Sequence, residues 1–559
     1  MQTTSNTAYS SSNEISFWVG EILFRLFPRS NQSTLGKLFP EIEMLGIKPL
    51  RPKQFLNLPI KDLILATAFQ SQRITFSTQE RADHGSYYTD SNEIEKLYKQ
   101  IDIKNVSKLL EPGCGAGCLI IQYLYMLKTE KKLSCFPEIK AFDMNEKAVT
   151  FAKLLIKLAM KDLLGDSFGK VFAEKVNIQC RDILKIDFRF KEEFDLILMN
   201  PPYAQLKGEK VSSDKGKYGK GNFTNLFMEY GFENLSKKGQ ILYILGGPSK
   251  WGNSYRDINE KLLNEFKFID FIPSLNGFMD IEYDTFAFLA RKSEGKNENK
   301  AQRKVNTLCF HVNSIEERIL NATASKGVPL TSLLAEVTRG AYIPAKLKIT
   351  SGRKNFISSG SNINSFTLNS VDGTCEKEYW KKIFDTKRVI LKAKRGKLLH
   401  STICNEGIAT TDNLVNMSLK DKDWTLEGIS LLLNSSYMSF FAHTFVFCSE
   451  SELARIIDKP YLEKFLVPNL SEIELAKFNF LAKRIFQLTQ NKDYWHFDLE
   501  RDSQKIEANI IGSEENILLR EADEIIFTAL GLDQKEKEYI FNKFSKVLHS
   551  LKPSQKLAA

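Results

Sequence analysis

From Glu14 to Phe27 the chain reads EISFWVGEILFRLF, with apolar residues at helical spacing, which predicts an amphipathic helix packed onto something larger. Residues 28–80 read as further helices and loops without a chemical motif. From about residue 81 the pattern changes to strand–turn–helix units. Val106–Leu110 leads into EPGCGAG and then the helical LIIQYLYML, and a second apolar run, Ile139–Phe142, ends at Asp143 before NEKAVTFAKLLIKLAM. A third strand, VNIQC, ends at Arg181-Asp182, and a fourth, FDLILMN, ends at Asn200. Helix FTNLFMEYGFENL, turn KKGQ, strand ILYILGG, a helix near residues 255–266 and strands FKFIDFI and TFAFLAR complete the series. This alternation predicts an α/β fold with a mainly parallel, doubly wound sheet, whose ligands bind at the carboxyl ends of the strands. Each polar motif falls there.

The stretch RKSEGKNENKAQRK (291–304) is polar and predicts a solvated hairpin tip or linker. Residues 320–470 are richer in Ser, Asn and Thr, with irregular strand-like pieces such as RVILKAK and GIATTDNLVNM. The tail is helical again, with Gly531 ending one helix and Asp533 and Glu536 forming the capping box of the next. The expected organisation is an N-terminal helical segment (1–80), an α/β domain (81–315), a mixed α/β domain (316–470) and a C-terminal helical region (471–559).

Composition changes this picture little. The 559 residues are 43% hydrophobic and 26% charged, the balance of a soluble protein of several domains. A formal charge of +10 suits a polyanionic partner and equally suits an ordinary mildly basic protein. The eight cysteines form no CxxC pair and have no matching histidine spacing, so no metal site is expected, and reduced thiols fit a cytoplasmic protein. MQTTSNTAYSSS lacks a basic n-region, and Glu21 and Arg25 break the apolar stretch behind it. Neither a signal peptide nor a membrane span is expected.

Three features carry chemistry. Glu111-Pro112-Gly113-Cys114-Gly115-Ala116-Gly117 lies between a strand and a helix, where glycines let the backbone turn tightly and approach a ligand. The GxGxG spacing also occurs in dinucleotide enzymes and in plain loops. Here, however, the third glycine is one residue early for a dinucleotide fingerprint, and the acid before the turn disfavours pyrophosphate but favours a cationic amino group. Asp143 ends the next strand, where an acid accepts both ribose hydroxyls; the alternative is a helix N-cap. Asp182 ends the third strand, placed to hold an adenine exocyclic amine or to be a solvated loop carboxylate. The third feature is Asn200-Pro201-Pro202-Tyr203 after the apolar strand Phe194–Met199. Its prolines block helix and sheet and fix a rigid turn that holds an amide, a carbonyl and an aromatic ring together.

On these residues the chain resembles the N6-adenine DNA amino-methyltransferases with motif order cofactor, catalysis, target recognition, in which Asn-Pro-Pro-Tyr/Phe is the catalytic signature. His84-Gly85-Ser86-Tyr87-Tyr88-Thr89 is similar to the family's upstream cofactor motif, with Asp90 where proline is common. The resemblance covers residues 81–292. It implies a Rossmann-like methyltransferase domain, S-adenosylmethionine as cofactor and double-stranded DNA as partner, with 316–470 as the target-recognition domain. By residue, it implies that Tyr88, Thr89, Glu111, Gly113, Gly115, Gly117 and Asn200 line the cofactor, with Glu111 on the methionine amino group. Asp143 would take the ribose, and Asp182 with Ile183 the adenine. Asn200 and the Pro201 carbonyl would accept from the target amine, with Pro202 stiffening the turn and Tyr203 stacking on a flipped base. Phe278 resembles a second aromatic contact, or is a core phenylalanine.

Those roles agree with the chemistry, since a base in a duplex must be flipped out to meet a methyl donor. Two acceptors on the amine favour a tetrahedral nitrogen, and alignment supplies much of the rate. Lys207, Lys210, Lys215, Lys217 and Lys220 after the turn, and Lys392, Lys394, Arg395 and Lys397, are candidates for phosphate contact or ordinary solvated residues. The alternatives are a modification subunit of a multi-subunit restriction system and a protein glutamine methyltransferase. The long second half favours a self-contained enzyme, with a separately encoded restriction endonuclease as a candidate partner and no fused nuclease.

Overall fold

The predicted apolar runs form one seven-stranded sheet in the computed structural model. The model describes residues 11–49, 52, 56–75, 94–182, 193–203, 222–250, 252–275, 285–293, 313–342, 354–357, 363–364, 366–368, 374–375, 379–392, 398–447, 457, 459–489, 494–498, 513–544 and 546–550. The strands are β1 (Lys108–Pro112), β2 (Glu138–Asp143), β3 (Val176–Cys180), β4 (Phe194–Met199), β5 (Leu235–Gly246), β6 (Phe266–Leu275) and β7 (Thr285–Lys292), in the order β3-β2-β1-β4-β5-β7-β6. Strands β1 to β5 run parallel, and β7 runs antiparallel to both neighbours. The expected doubly wound, mainly parallel sheet is thus present. KKGQ, expected as a turn, instead lies within β5, where the register slips between Phe194↔Leu235 and Leu196↔Gln240. An irregularity in the pairing there accommodates the exposed Lys237 and Lys238 without ending the strand.

Parallel strands covered on both faces must be apolar throughout. Leu196, Ile197, Leu198 and Met199 of β4 accordingly have no exposed surface, and each such side chain contributes about 1.5–3 kcal/mol. The chain divides into two compact units, 1–298 and 299–559. In the first, helix Ser11–Leu26 buries Ile15, Val19, Ile22 and Leu23 in the same core as helices Ile60–Thr75 and Glu146–Leu164. Two buried carboxylates there are paired: Glu21 meets Arg25 at 2.6 Å and the Leu56 N–H at 2.7 Å, and Glu41 meets Lys157 at 2.6 Å.

The second unit opens with helix Ser314–Lys326, started by a capping box between Asn313 and Glu316. Strands Ser401–Cys404, Arg388–Lys392, Leu414–Leu419 and Leu334–Arg339 form an antiparallel sheet in that order. Arg388 is wholly buried beside it, donating to the Asn416 side chain at 2.8 Å and to the Thr386 carbonyl at 3.2 Å. In the tail, helix Glu514–Leu530 ends at Gly531 with φ +71°, and Asp533 and Glu536 exchange hydrogen bonds of 2.9 and 2.8 Å as the capping box predicts. The tail is not all helix: Tyr494–Asp498 pairs antiparallel with Lys546–Ser550, as the strand preference of YWHFD favours. Among the described residues, no helix is long and apolar enough to cross a membrane.

Buried Asp523 accepts the Ser436 N–H at 3.0 Å and the Tyr437 N–H at 3.4 Å, closing the start of helix Ser436–Phe441. Asp523→Ala strands those donors and is expected to lower unfolding free energy by about 1–3 kcal/mol, read by urea denaturation. A change below about 0.3 kcal/mol would refute this role for the carboxylate.

Candidate active site

Because β1 pairs with both β2 and β4, the carboxyl ends of these strands lie side by side at the point where strand order reverses. The loop after β1 is set by its glycines: Gly113, Gly115 and Gly117 have φ of +72°, +51° and +81°, a region that L side chains rarely adopt. Space also demands glycine, since a Cβ at Gly113 would lie 2.8 Å from the Phe227 ring and one at Gly117 2.9 Å from Ile156. The Gly113 and Cys114 N–H groups donate to the Phe142 carbonyl at 2.8 and 3.0 Å, and Gly117 N–H donates to Cys114 at 2.8 Å. Helix Cys118–Thr129 follows with Gly117 in the left-handed conformation at its cap.

Asp143 ties this loop to β2. One carboxylate oxygen accepts the Gly115 N–H at 3.0 Å and the other the Asn145 N–H at 2.8 Å. It is not the helix cap; Asn145 is, accepting the Ala148 N–H at 3.0 Å. Burial raises the Asp143 carboxyl above its ordinary range, opposed by the N–H groups of Asn145, Gly115 and Met144. Glu111 is more exposed to this cost. It is buried, one of its oxygens has no hydrogen-bond partner among the described residues, and its carboxyl is held well above the ordinary range. Burial is the main cause; the Ile120 N–H opposes it and the Asp143 charge adds to it. A buried carboxyl lacking a partner fits a cationic group. Burial likewise pushes the nearby Cys118 thiol up to about 12, which makes it a poor nucleophile.

Asn200 directly follows β4, next to β5. Tyr203 turns back on it: the hydroxyl donates to Asn200 Oδ1 at 2.8 Å and lies 3.4 Å from the Ile244 carbonyl of β5. The Pro202 carbonyl accepts from the Thr224 hydroxyl at 3.0 Å. Asp182 lies two residues beyond β3 and is half-buried. The fold therefore gathers Glu111, Gly113, Gly115, Gly117, Asp143, Asp182, Asn200, Pro201, Pro202 and Tyr203 on one edge of the sheet. Tyr88, Thr89, Ile183 and Phe278 lie outside the described residues, as do residues 204–221 and 393–397 with their lysines. Two features escaped the sequence reading. Met144, 54% exposed beside Asp143, leaves an apolar side chain open at this edge, and its place directly after the strand-end acid was the available signal. Thr224 gave none, being 22 residues from the carbonyl it holds.

Residues 137–278 match the model of the Eco57I restriction-modification methylase family. The first unit carries a restriction-modification methylase domain. No curated protein sequence matches the chain. Among solved structures, the type IIL restriction-modification enzyme MmeI in complex with DNA superposes with a TM-score of 0.55 at 10% identity, over 89% of this chain and 83% of that one. The DrdV–DNA complex gives 0.47 at 10% identity, over 87% and 68%. A type I restriction-modification methyltransferase subunit from Streptococcus thermophilus gives 0.33 at 19% identity, over 54% and 66%. At these identities the likeness to MmeI speaks for the fold alone. A methylase domain is consistent with S-adenosylmethionine as cofactor, and a cationic amino acid end suits the Glu111 oxygen that has no partner among the described residues.

A cation beside Glu111 favours the ionised carboxylate, so a site whose free carboxyl is held high must release a proton when the cofactor binds. S-adenosylmethionine affinity is expected to rise as pH increases through that raised value, with proton release seen by calorimetry in buffers of different ionisation heat. Glu111→Gln should abolish the release and weaken binding about tenfold or more. Binding independent of pH in the native chain would contradict this.

Proposed function

We propose that the chain is a site-specific DNA methyltransferase that moves a methyl group from S-adenosylmethionine to the N6 amine of a flipped-out adenine. The observation that carries this reading is the placement of Asn200 and the Asn-Pro-Pro-Tyr turn on the same sheet edge as the Glu111–Gly117 loop. An amide oxygen, a proline carbonyl and an aromatic ring then stand beside the methyl donor's loop. The amide of Asn200 and the carbonyl of Pro201 accept the two amine hydrogens, drawing the nitrogen lone pair out of conjugation with the ring. Tyr203 leaves Asn200 to stack on the base, so the acceptor now held by its hydroxyl becomes free for the amine. Glu111 and Asp143 hold the two ends of the cofactor, with Asp182 and Met144 toward its adenine. When bound, S-adenosylmethionine supplies an electrophilic methyl on a sulfonium. Because the reaction is an in-line displacement, positioning and fixed dipoles supply the rate, and no strong base is required.

The DNA partner is supported by the restriction-modification family and by the basic composition of the chain. We assign residues 316–470 as the target-recognition domain, with Lys392 as a candidate for phosphate contact. Phosphate contacts give affinity and register, while base edges give specificity.

Asn200→Ala is expected to lower methyl transfer by at least about 10³-fold with cofactor affinity changed less than about threefold. Expression in a methylation-free host, followed by single-molecule sequencing, should show N6-methyladenine at one short sequence with the native chain and none with the variant. Wild-type methylation by the variant would remove Asn200 from the mechanism, and N4-methylcytosine in place of methyladenine would change the base.

A further inference from the structure

We propose that Thr224 is a positioning residue for the Asn-Pro-Pro-Tyr turn, its hydroxyl setting the direction of Tyr203 by holding the Pro202 carbonyl. This rests on reading that turn as the amine-binding site. Two successive prolines fix their own φ near −65° and donate nothing, which leaves ψ of Pro202 as one of the few torsions that aim Tyr203. The orientation of the Pro202 carbonyl reports that torsion. A hydrogen bond of 3.0 Å from Thr224 holds it, and Thr224 has no exposed surface.

The anchor behind Thr224 is itself built. Threonine is stiff at χ1, and its single hydroxyl proton goes to Pro202, leaving its lone pairs for another donor. The Tyr255 hydroxyl interacts with the Thr224 side chain. Thr224 sits in the first turn of helix Phe223–Asn234, whose start is fixed twice: Asn222 caps the Asn225 N–H at 2.8 Å, and the Asn225 side chain donates to the Ser254 carbonyl at 2.6 Å. A chain of contacts therefore runs from the turn Asn253–Tyr255 through Thr224 to Pro202. On the far side it continues through the Tyr203 hydroxyl to Asn200.

Thr224→Val keeps the branched shape and removes only the hydroxyl. The test measures tritium transfer from labelled S-adenosylmethionine into plasmid DNA from a methylation-free host, using the full chain and its Thr224→Val, Thr224→Ser, Tyr255→Phe and Asn200→Ala variants. We expect Thr224→Val to lower kcat by about 10- to 100-fold with KM for DNA and cofactor affinity within about threefold. Thr224→Ser should return kcat to within about threefold of the native value, and Tyr255→Phe should lower kcat by about three- to tenfold. A native kcat in Thr224→Val, or a loss that serine does not restore, overturns the proposal. If Thr224→Val does not fold, Tyr255→Phe carries the test, and an unchanged kcat there overturns it. The Asn200→Ala arm separates the two readings. An active Asn200→Ala overturns the assignment of the turn, whereas an inactive one beside a normal Thr224→Val overturns only the role of Thr224.

Discussion

A strand buried on both faces cannot slip by one residue, because every side chain would exchange faces and each displaced apolar group would lose its packing. β4 is such a strand, and its register fixes where the chain emerges from the sheet, at Asn200. β1 is held against β4 and β2 by the same parallel pairing, so Glu111 and the glycine loop open onto the same edge. The distance between the cofactor loop and the amide turn is therefore set by the sheet and not by either loop. Asp143 completes the arrangement by taking an N–H from the loop of the neighbouring strand. A change in that edge has to be made in the core.

How far this was readable in advance follows from which interactions are local. The strands and their order of appearance came from apolar runs, and the glycine positions from a short spacing. Gly531 and the Asp533–Glu536 box were readable because caps are made within four residues. KKGQ misled because lysine and glycine signal a turn, whereas an irregularity in strand pairing accepts the same residues. Thr224 was invisible for a different reason. Its partner carbonyl lies in another element, and a buried threonine in an apolar helix looks like any small core residue. The pairing of Tyr494–Asp498 with Lys546–Ser550 was missed because the strands are separated by two helices.

The two ends of the site are left in opposite electrostatic states. Beside the glycine loop, Glu111 is buried with one oxygen lacking a hydrogen-bond partner among the described residues, a desolvation cost that a cation would relieve. At the target end, Asn200 Oδ1 already holds the Tyr203 hydroxyl. Filling the first position yields the full benefit of a new charged contact. Filling the second exchanges one hydrogen bond for another, and such an exchange is worth only about 0.5–1.5 kcal/mol.

That asymmetry has a consequence for order and selectivity. On the proposed reading of the site, cofactor binding would relieve a desolvation cost already present in the fold. An amine arriving at Asn200 must displace the tyrosine, and it gains little unless the freed ring finds a flat surface to stack on. A base supplies both, the amine for the amide and the π-face for the ring, while water or an isolated amine supplies at most the first. On the proposed reading of the turn, selection for a flipped base would reside in the coupling between Tyr203 and Asn200 more than in either contact alone. The rigidity of the two prolines between them is what makes that coupling strict.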